Sequence, residues 1–456
     1  MGMVGTFLKN SGIFVVGAAL SKLIAFAMLP LYTLMIPPAD FGYFDLSLTY
    51  LTVITEPLFL NIWVVILRRM YQEKGQEIRA VQAGSLVFLI SSGCYALLVA
   101  LSALVLDIPH IGLIALLGIA QNIGHVYKHA SRGMRRNWDY ALSGVIASVV
   151  LMGVNVALLV GLRWDVRALY VAAIAASLSE VAYLEMRIHL VRWMRSAEWG
   201  WGIPQAAKAM FFLAIPIGLN ALVYWSINSL SRAAVGALLG FAASGIFAVA
   251  MRFGAAMMLV IMATTYAWQD LAFERSKEDA AFFGRAAAGY AMALLTGLAL
   301  LLPAFRLAFP WVVDARYTAA LPVIPCALAV SALSGYSNFL VNIFYAIGRN
   351  RDTLWAIGAA GVVNMAAILP LIELWGLVGA SLSTMIGYSA GIGFMLYRLF
   401  REIGMPVAPR GPLAGLALVC GTAGVFAYGN TLANAVALGV VLVVAAIGAT
   451  RMVQRK

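Results

Sequence analysis

Charged residues are scarce in this chain of 456 residues. They make up 11% of the sequence, whereas hydrophobic residues make up 63%. A soluble globular protein carries about 25% charged residues, so the composition excludes an ordinary soluble domain. The apolar residues occur in long runs, and a backbone in lipid must satisfy its hydrogen bonds within such a run. The composition therefore predicts an all-α, polytopic membrane protein.

Cysteine and metal-ligand patterns are also poor. The three cysteines, Cys94, Cys326 and Cys420, each lie alone in an apolar run, which excludes a disulfide framework or a cysteine metal site. His125 and His129 are one helical turn apart, but no third ligand accompanies them, so zinc is not expected. The sequence predicts no metal and no cofactor.

Motifs for chemistry are missing as well. The sequence has no Gly-x-x-x-x-Gly-Lys-Ser/Thr loop, which excludes an ATPase of that type. No nucleophile, base and acid stand out as a set, and the predicted outer loops are short. A membrane-embedded glycan polymerase or ligase is therefore disfavoured. We predict a transporter and not an enzyme.

Long apolar runs are what the sequence does contain. Segments of about 20 residues or more are long enough to cross the hydrocarbon core as helices. The first run is too long for a signal-peptide core and is expected to be a retained helix. We predict about 14 spans, at 11–35, 41–66, 82–106, 111–133, 139–162, 166–190, 207–235, 243–270, 284–308, 319–347, 353–372, 376–398, 411–428 and 432–450.

The loop charges predict an orientation. The net charge is +12, and with both termini in the cytoplasm most Lys and Arg residues fall in the inner loops, as the positive-inside rule requires. The charge thus serves topology and does not indicate nucleic-acid binding. Four cations fall outside, namely Arg163, Arg167, Arg306 and Arg316.

Short motifs recur in the same order in the two halves of the chain. Gly42-Tyr43-Phe44 corresponds to Gly245-Ile246-Phe247, and Val154-Asn155 corresponds to Val363-Asn364. Arg136-Asn137-Trp138-Asp139 similarly matches Arg349-Asn350-Arg351-Asp352. Six predicted spans separate the copies, so both halves start on the same side of the membrane. This predicts two pseudo-symmetric six-helix lobes with the substrate path between them. The last two spans fall outside the repeat.

Three cations remain inside the predicted spans: Lys22, Arg232 and Arg252. A charge inside the membrane is costly unless it has a partner or faces water. One alternative is that each cation pairs with a carboxylate or a carbonyl and only fixes packing. The other is that the three line a cavity for an anionic substrate, since Arg holds phosphate through paired hydrogen bonds and Lys acts as a point charge.

Two carboxylates lie deep in the predicted spans, Glu56 before Pro57 and Glu180 in the sixth span. Intramembrane carboxylates of this kind can couple transport to protons or sodium. Pairing with one of the three cations is the equally supported alternative.

A series of short motifs extends over about 8–400: Asn10-Ser11-Gly12 with Lys22, Pro30-Leu31-Tyr32-Thr33, Asp40-Phe41-Gly42-Tyr43-Phe44-Asp45, Pro216, Ser231-Arg232, Gly245-Ile246-Phe247, Tyr345-Ala346-Ile347-Gly348-Arg349, Asn364 and Trp375-Gly376-Leu377-Val378-Gly379-Ala380. In this order the motifs resemble the polysaccharide transporter family, flippases of lipid-linked oligosaccharides in the MATE-like multidrug/oligosaccharidyl-lipid/polysaccharide superfamily. The order of the motifs, and not any single one, carries the resemblance. Where members often have Asp before the helix-seven Arg, this chain has Ser231.

The resemblance implies a fold and a cargo. The lobes would be 1–200 and 201–405, arranged as a V, with two additional helices at 406–456. The cargo would be a polyprenyl-diphosphate-linked oligosaccharide, moved to the outer leaflet of a bacterial inner membrane for lipopolysaccharide O-antigen or exopolysaccharide synthesis. Downstream partners would be a polysaccharide polymerase and chain-length machinery. The alternatives are a flippase for the peptidoglycan-precursor lipid and a cation-coupled multidrug exporter.

Overall fold

Helices joined by short connections, with no strand, make up the residues that the structure, a computed structural model, describes: 20–73, 75–196, 199–200, 202–273, 280–406 and 410–454. Within these, the side chains at 219–228, 259–260, 262–267, 269–273, 350, 410 and 447–454 are outside the description. The Asn10-Ser11-Gly12 motif and residues 11–19 of the first predicted span also lie outside it. The predicted all-α class is confirmed.

The chain divides into two compact units. The first contains Met1–Leu31 and Tyr43–Trp225, and the second contains Tyr32–Gly42 and Ser226–Lys456. A short segment from the N-terminal half thus belongs to the second unit. The predicted boundaries at 200/201 and 405/406 stay predictions.

Eight helices are assigned to the N-terminal part of the chain. Pro57 lies near the end of the helix that carries it, and Leu60 and Asn61 adopt left-handed φ values at the break that follows, where the next helix turns by 45°. The helices are α1 (Leu20–Met35), α2 (Pro38–Phe59), α3 (Ile62–Gln72), α4 (Glu77–Val105), α5 (Ile111–Gly133), α6 (Asn137–Val156, continued by a π-turn at Ala157–Gly161), α7 (Arg167–Ile188) and α8 (Leu190–Arg195).

The C-terminal part has seven more helices in the described ranges. The first of them ends at Asn228, inside the predicted seventh span, so Arg232 lies in the first turn of the next helix, which begins at Leu230. They are α9 (Gly202–Asn228), α10 (Leu230–Phe273), α11 (Ala280–Val312), α12 (Ile324–Ala346, preceded by a 3₁₀ segment at Ala315–Val323), α13 (Asn350–Ile403), α14 (Arg410–Tyr428) and α15 (Thr431–Gln454).

Two glycines break the longest helices. Gly240 interrupts the 44-residue α10 with φ 84°, and Gly376 interrupts the 54-residue α13 with φ 54°. Glycine lacks a Cβ and adopts such positive φ values at little cost. The break at Gly376 lies at the predicted boundary between the spans 353–372 and 376–398.

Eight helices of the described part are long and apolar enough to cross a membrane, or nine if the bent pair α2 and α3 forms one span. In this count of spans, Arg351–Ile403 is one helix although Gly376 interrupts it. The apolar helices Leu20–Met35, Gly202–Gly218 and Thr431–Ala446 are shorter and are not included. The protein is therefore a multi-pass membrane protein. The count of fourteen spans and the orientation stay predictions.

Two glycines that the repeat treats as equivalent contact each other. A Cβ at Gly42 would lie 1.8 Å from the carbonyl oxygen of Phe241 and 2.5 Å from the nitrogen of Gly245. A Cβ at Gly245 would lie 2.0 Å from the carbonyl oxygen of Pro38 and 2.9 Å from the nitrogen of Gly42. Phe241 follows Pro38 by the same number of residues by which Gly245 follows Gly42. The contact is therefore reciprocal, and small residues permit it because the backbones approach closely.

Replacing Gly42 by alanine should destabilise the protein. Backbone atoms cannot move aside as a flexible side chain can, so the added methyl group forces the two helices apart. We expect Gly42→Ala to cost about 1–3 kcal/mol of stability, as overpacking typically does. Thermal unfolding of the purified protein in detergent measures the effect.

Gly93→Ala is the matched control, since nothing lies within 4 Å of a Cβ at Gly93 in α4. It should leave the unfolding temperature unchanged or slightly raised. An equal unfolding temperature for the two variants would contradict the close contact at Gly42.

Candidate functional site

The first unit buries an ion pair between α5 and α7. Lys128 Nζ lies 2.6 Å from Glu180 Oε1, and the hydroxyl of Ser143 on α6 donates to the same oxygen at 3.0 Å. Glu180 is buried, whereas the Lys128 side chain is 26% exposed. The partner of Glu180 is thus Lys128, and not one of the three cations predicted to lie inside the spans.

Aromatic rings surround this ion pair. The ring of Tyr140 lies 5.9 Å from Lys128 Nζ and 5.5 Å from the guanidinium carbon of Arg132. His125 stacks on Trp63 with ring centroids 4.8 Å apart. The histidines therefore take part in packing, and no group of three His, Cys, Asp or Glu side chains suited to a metal occurs in the described ranges.

Glu56 has a different environment at the break between α2 and α3. The amide of Asn61 donates to Glu56 Oε2 at 2.6 Å. Glu56 is half-buried, and Asn61 reaches it because the residue adopts a left-handed conformation after Pro57. Glu56 is thus held by a neutral partner.

Lys22 lies on α1 with an exposed side chain. Within the part of the chain that the structure describes, Lys22 forms no ion pair. Its two suggested partners, Glu56 and Glu180, bind Asn61 and Lys128 instead. The alternative in which Lys22 pairs with one of these acids is therefore not what the structure shows.

The second unit holds Arg252 against two neighbouring aromatic rings. Its guanidinium carbon lies 5.1 Å from the centroid of Tyr32 and 4.9 Å from that of Phe41. The edge of Tyr317 packs against Phe41 with centroids 6.3 Å apart. Rings attract a cation through their quadrupole, and more strongly where water is excluded. Sequence reasoning missed these rings, although two of them lie in the quoted motifs.

Residues 32–42 are also hydrogen-bonded to the residues that follow α11. Arg316 donates to the carbonyl oxygens of Thr33 at 2.9 Å and Leu34 at 2.5 Å. The hydroxyl of Tyr317 donates to the carbonyl oxygen of Ile36 at 2.9 Å. Asp314 accepts from the backbone and the guanidinium of Arg316. These hydrogen bonds hold the pKa of the Asp314 carboxyl below its ordinary value. The contacts explain why residues 32–42 belong to the second unit.

Ser231 precedes the half-buried Arg232 and binds a hydroxyl instead of forming an acid–base pair. Its Oγ lies 2.6 Å from Oγ1 of Thr384 on α13, and both hydroxyls are buried. The site that an Asp often occupies in the family is thus neutral in this chain. Thr384 was missed, although three hydroxyl residues within four positions, Ser381, Ser383 and Thr384, mark this stretch of an apolar helix.

The repeat-related asparagines are fully buried. Asn155 donates to the carbonyl oxygen of Leu151 at 2.8 Å. Asn364 packs against Gly387, whose Cβ would lie 2.9 Å from that of Asn364. Neither amide atom of Asn364 has a hydrogen bond within the described residues. A buried, unbonded amide is costly, so Asn364 marks a polar position in the interior of the second unit.

The five predicted site residues fall in both units. Lys22, Glu56 and Glu180 lie in the first, and Arg232 and Arg252 lie in the second. Within the first unit the two carboxylates have separate partners. The convergence of the three cations on one cavity stays a prediction.

Comparison with solved structures identifies the fold. The chain is similar to the lipid II flippase MurJ in an inward closed conformation, with a TM-score of 0.71 and 11% identity over 96% of this chain and 99% of that one. It is also similar to an outward-facing multidrug resistance MATE family transporter of the MOP superfamily, with a TM-score of 0.57 and 16% identity over 90% and 96%.

A MOP superfamily transporter from Pyrococcus furiosus gives a TM-score of 0.58 with 15% identity over 90% of this chain and 96% of that one. For that transporter, a reverse polarity of the binding pocket suggests a different function. No family model matches the sequence, and no curated protein matches it. The chain thus has the fold of the MOP transporters, as the resemblance implied.

Breaking the buried ion pair should destabilise the protein. Lys128→Met and Glu180→Gln each leave one polar partner buried without its counterpart. Because Lys128 is partly exposed, we expect a coupling of about 1–3 kcal/mol, below the cost of breaking a fully buried pair. A double-mutant cycle with Lys128→Met/Glu180→Gln, followed by unfolding in mixed micelles, measures it.

The Arg69–Glu73 pair, one helical turn apart on α3, is the control because both side chains are more exposed. Its coupling should be about 0.2–1 kcal/mol. A Lys128–Glu180 coupling no larger than this would show that burial does not strengthen the ion pair.

Proposed function

We propose that the protein is a flippase that moves a polyprenyl-diphosphate-linked oligosaccharide from the cytoplasmic to the outer leaflet by alternating access. The observation that supports this proposal is Lys22, an exposed cation on α1 that has no carboxylate partner in the described ranges. Residue 231, next to Arg232, is a serine whose hydroxyl lies against that of Thr384. A cation that no acid neutralises favours an anionic cargo.

The chemistry of such a cargo suits this set. A diphosphate and its sugars cannot cross hydrocarbon, because burying their polar groups costs many kcal/mol. Arg232 and Arg252 would hold the diphosphate through charge-assisted hydrogen bonds, and Lys22 would add a point charge. The polyprenyl tail would stay in the bilayer while the sugars remain hydrated.

Glu56 and Glu180 are the proposed coupling residues. Protonation of Glu180 would remove the charge that Lys128 balances, and Glu56 could bind a proton without breaking an ion pair, since its partner Asn61 is neutral. A proton gradient would then bias the exchange between the two conformations. The membrane potential and consumption of the product are the other sources of drive.

We place the protein in the inner membrane of a bacterium, where a polysaccharide polymerase and chain-length machinery would use the flipped units. The product would enter lipopolysaccharide O-antigen or exopolysaccharide synthesis. These assignments follow from the motif resemblance and from the cargo.

A second candidate is a flippase for the peptidoglycan-precursor lipid. The observation in its favour is the similarity to lipid II flippase MurJ, whose TM-score of 0.71 exceeds the 0.57 of the MATE transporter. Lipid II also presents a diphosphate, so the charge argument applies equally. The multidrug exporter has the same fold but less support, because organic cations would be repelled by these side chains.

Loss of the proposed phosphate ligands should abolish flipping. Removing a charge-assisted hydrogen bond costs enough to lower the rate about tenfold or more. We expect this for Arg232→Gln and Arg252→Gln in proteoliposomes that contain a radiolabelled polyprenyl-diphosphate oligosaccharide. The fraction of glycan accessible to a membrane-impermeant oxidant measures flipping.

Arg163→Gln is the control, since Arg163 is an exposed cation in a loop of the first unit; it should flip at the unmodified rate. Lipid II and ethidium in matched proteoliposomes separate the candidates. Transport of lipid II alone would select the second candidate, and transport of ethidium alone would select the exporter. Unchanged oligosaccharide flipping in both Arg variants would contradict the phosphate role.

A further inference from the structure

The second unit contains a cavity of about 610 Å³ where α11, the 3₁₀ segment and the turn between α14 and α15 meet, lined mainly by apolar residues with several polar side chains among them. We call it the Arg306 cavity. Its polar lining comes from Arg306, Thr318, Asn430 and Thr431, and its apolar lining includes Trp311. None of its lining residues is acidic. The cavity is therefore cationic, with amides and hydroxyls beside the charge.

Arg306 is available to a ligand. Its guanidinium carbon lies 5.7 Å from the centroid of Phe426, and it has no hydrogen bond or ion pair with any described residue. Arg316, in the 3₁₀ segment that follows α11, is by contrast bound to Asp314 and to two carbonyl oxygens. The N–H donors of the half-buried Arg306 guanidinium can thus serve an anion.

Asn430 adds further donors to the cavity. Its Oδ1 accepts from the backbone nitrogen of Ala433 at 2.9 Å, at the start of α15. This fixes the amide and leaves its NH₂ group without a partner in the described part of the chain. Arg306 and Asn430 thus both offer N–H donors to one cavity.

The cavity lies at the depth of lipid headgroups. It is formed where the membrane-crossing helices α11 and α14 end, at Val312 and Tyr428. Trp311 and Tyr428 next to it are 88% and 94% exposed. Exposed Trp and Tyr residues at span ends are typical of the membrane–water interface. In the predicted topology this is the outer surface.

An apolar groove continues from the cavity. It has a volume of about 600 Å³ and runs between α14 and α15, lined by side chains such as Leu418, Val425, Val436 and Val440. Asn430 lines both spaces. A cationic mouth that opens into an apolar groove along a membrane helix has the polarity of an amphiphile.

We propose that this site binds an anionic glycerophospholipid, phosphatidylglycerol, with its phosphodiester on Arg306 and Asn430 and an acyl chain in the groove. One cation matches the single negative charge of this lipid. The hydroxyls of Thr318 and Thr431 suit its glycerol headgroup, whereas the lack of a lining carboxylate disfavours a headgroup that carries an ammonium. The site is independent of the proposed cargo, and it gives α14 and α15 a role in lipid binding.

The full-length purified protein in a delipidated detergent solution tests the headgroup. We expect dioleoyl-phosphatidylglycerol to raise the unfolding temperature in a saturable manner. Equal concentrations of dioleoyl-phosphatidylcholine or inorganic phosphate should not do so. Arg306→Gln should weaken phosphatidylglycerol binding about tenfold or more, as the loss of a charge-assisted hydrogen bond predicts. Arg163→Gln should bind as the unmodified protein does.

A second pair of variants tests the chain position and does not depend on Arg306. Gly421 lines the groove, whereas Gly424 on the same helix does not, and nothing lies within 4 Å of a Cβ at either residue. Gly421→Leu should fill the groove and reduce phosphatidylglycerol binding, while Gly424→Leu should not. The proposal would be overturned by equal stabilisation with inorganic phosphate or phosphatidylcholine, by unaltered binding to Arg306→Gln, or by unaltered binding to Gly421→Leu.

Discussion

Compensation of charge in a medium without water is the constraint on which this structure depends. An isolated charge in hydrocarbon costs several kcal/mol, so each must find a partner or reach water. Glu180 contacts Lys128 and Ser143, Arg252 lies against two aromatic rings, and Glu56 accepts from Asn61. These contacts join different helices or stabilise a break, so the polar residues of an apolar chain determine how its helices pack within each unit.

The segment 32–42 shows how the constraint shapes the fold. It connects α1 to α2, yet Arg252, Arg316 and Tyr317 attach it to the second unit. Gly42 allows it to approach Gly245 at backbone distance. The motifs that carry the family resemblance in this stretch are therefore structural residues as much as candidate ligands. Any role of Arg252 in binding cargo has to be compatible with its contacts to the rings of Tyr32 and Phe41.

Two arginines near the end of α11 differ in whether protein acceptors already bind their N–H donors. Arg316 is bound to an acid and to carbonyl oxygens and serves the structure. Arg306 has a ring on one side and a cavity on the other. A ligand anion can bind a cation only where protein acceptors have not already occupied its donors. This distinction cannot be made by counting charges, and it gives α14 and α15, which lie outside the repeat, a reason to be present.

The sequence alone determined the helical class and the break at Gly376, because hydropathy and glycine conformation are properties of short segments. The partners were decided only by tertiary structure: Lys128 for Glu180, Thr384 for Ser231, Tyr32 and Phe41 for Arg252. A partner depends on how two helices far apart in sequence are rotated and shifted against each other. That geometry arises from the packing of all side chains together, and no local pattern records it.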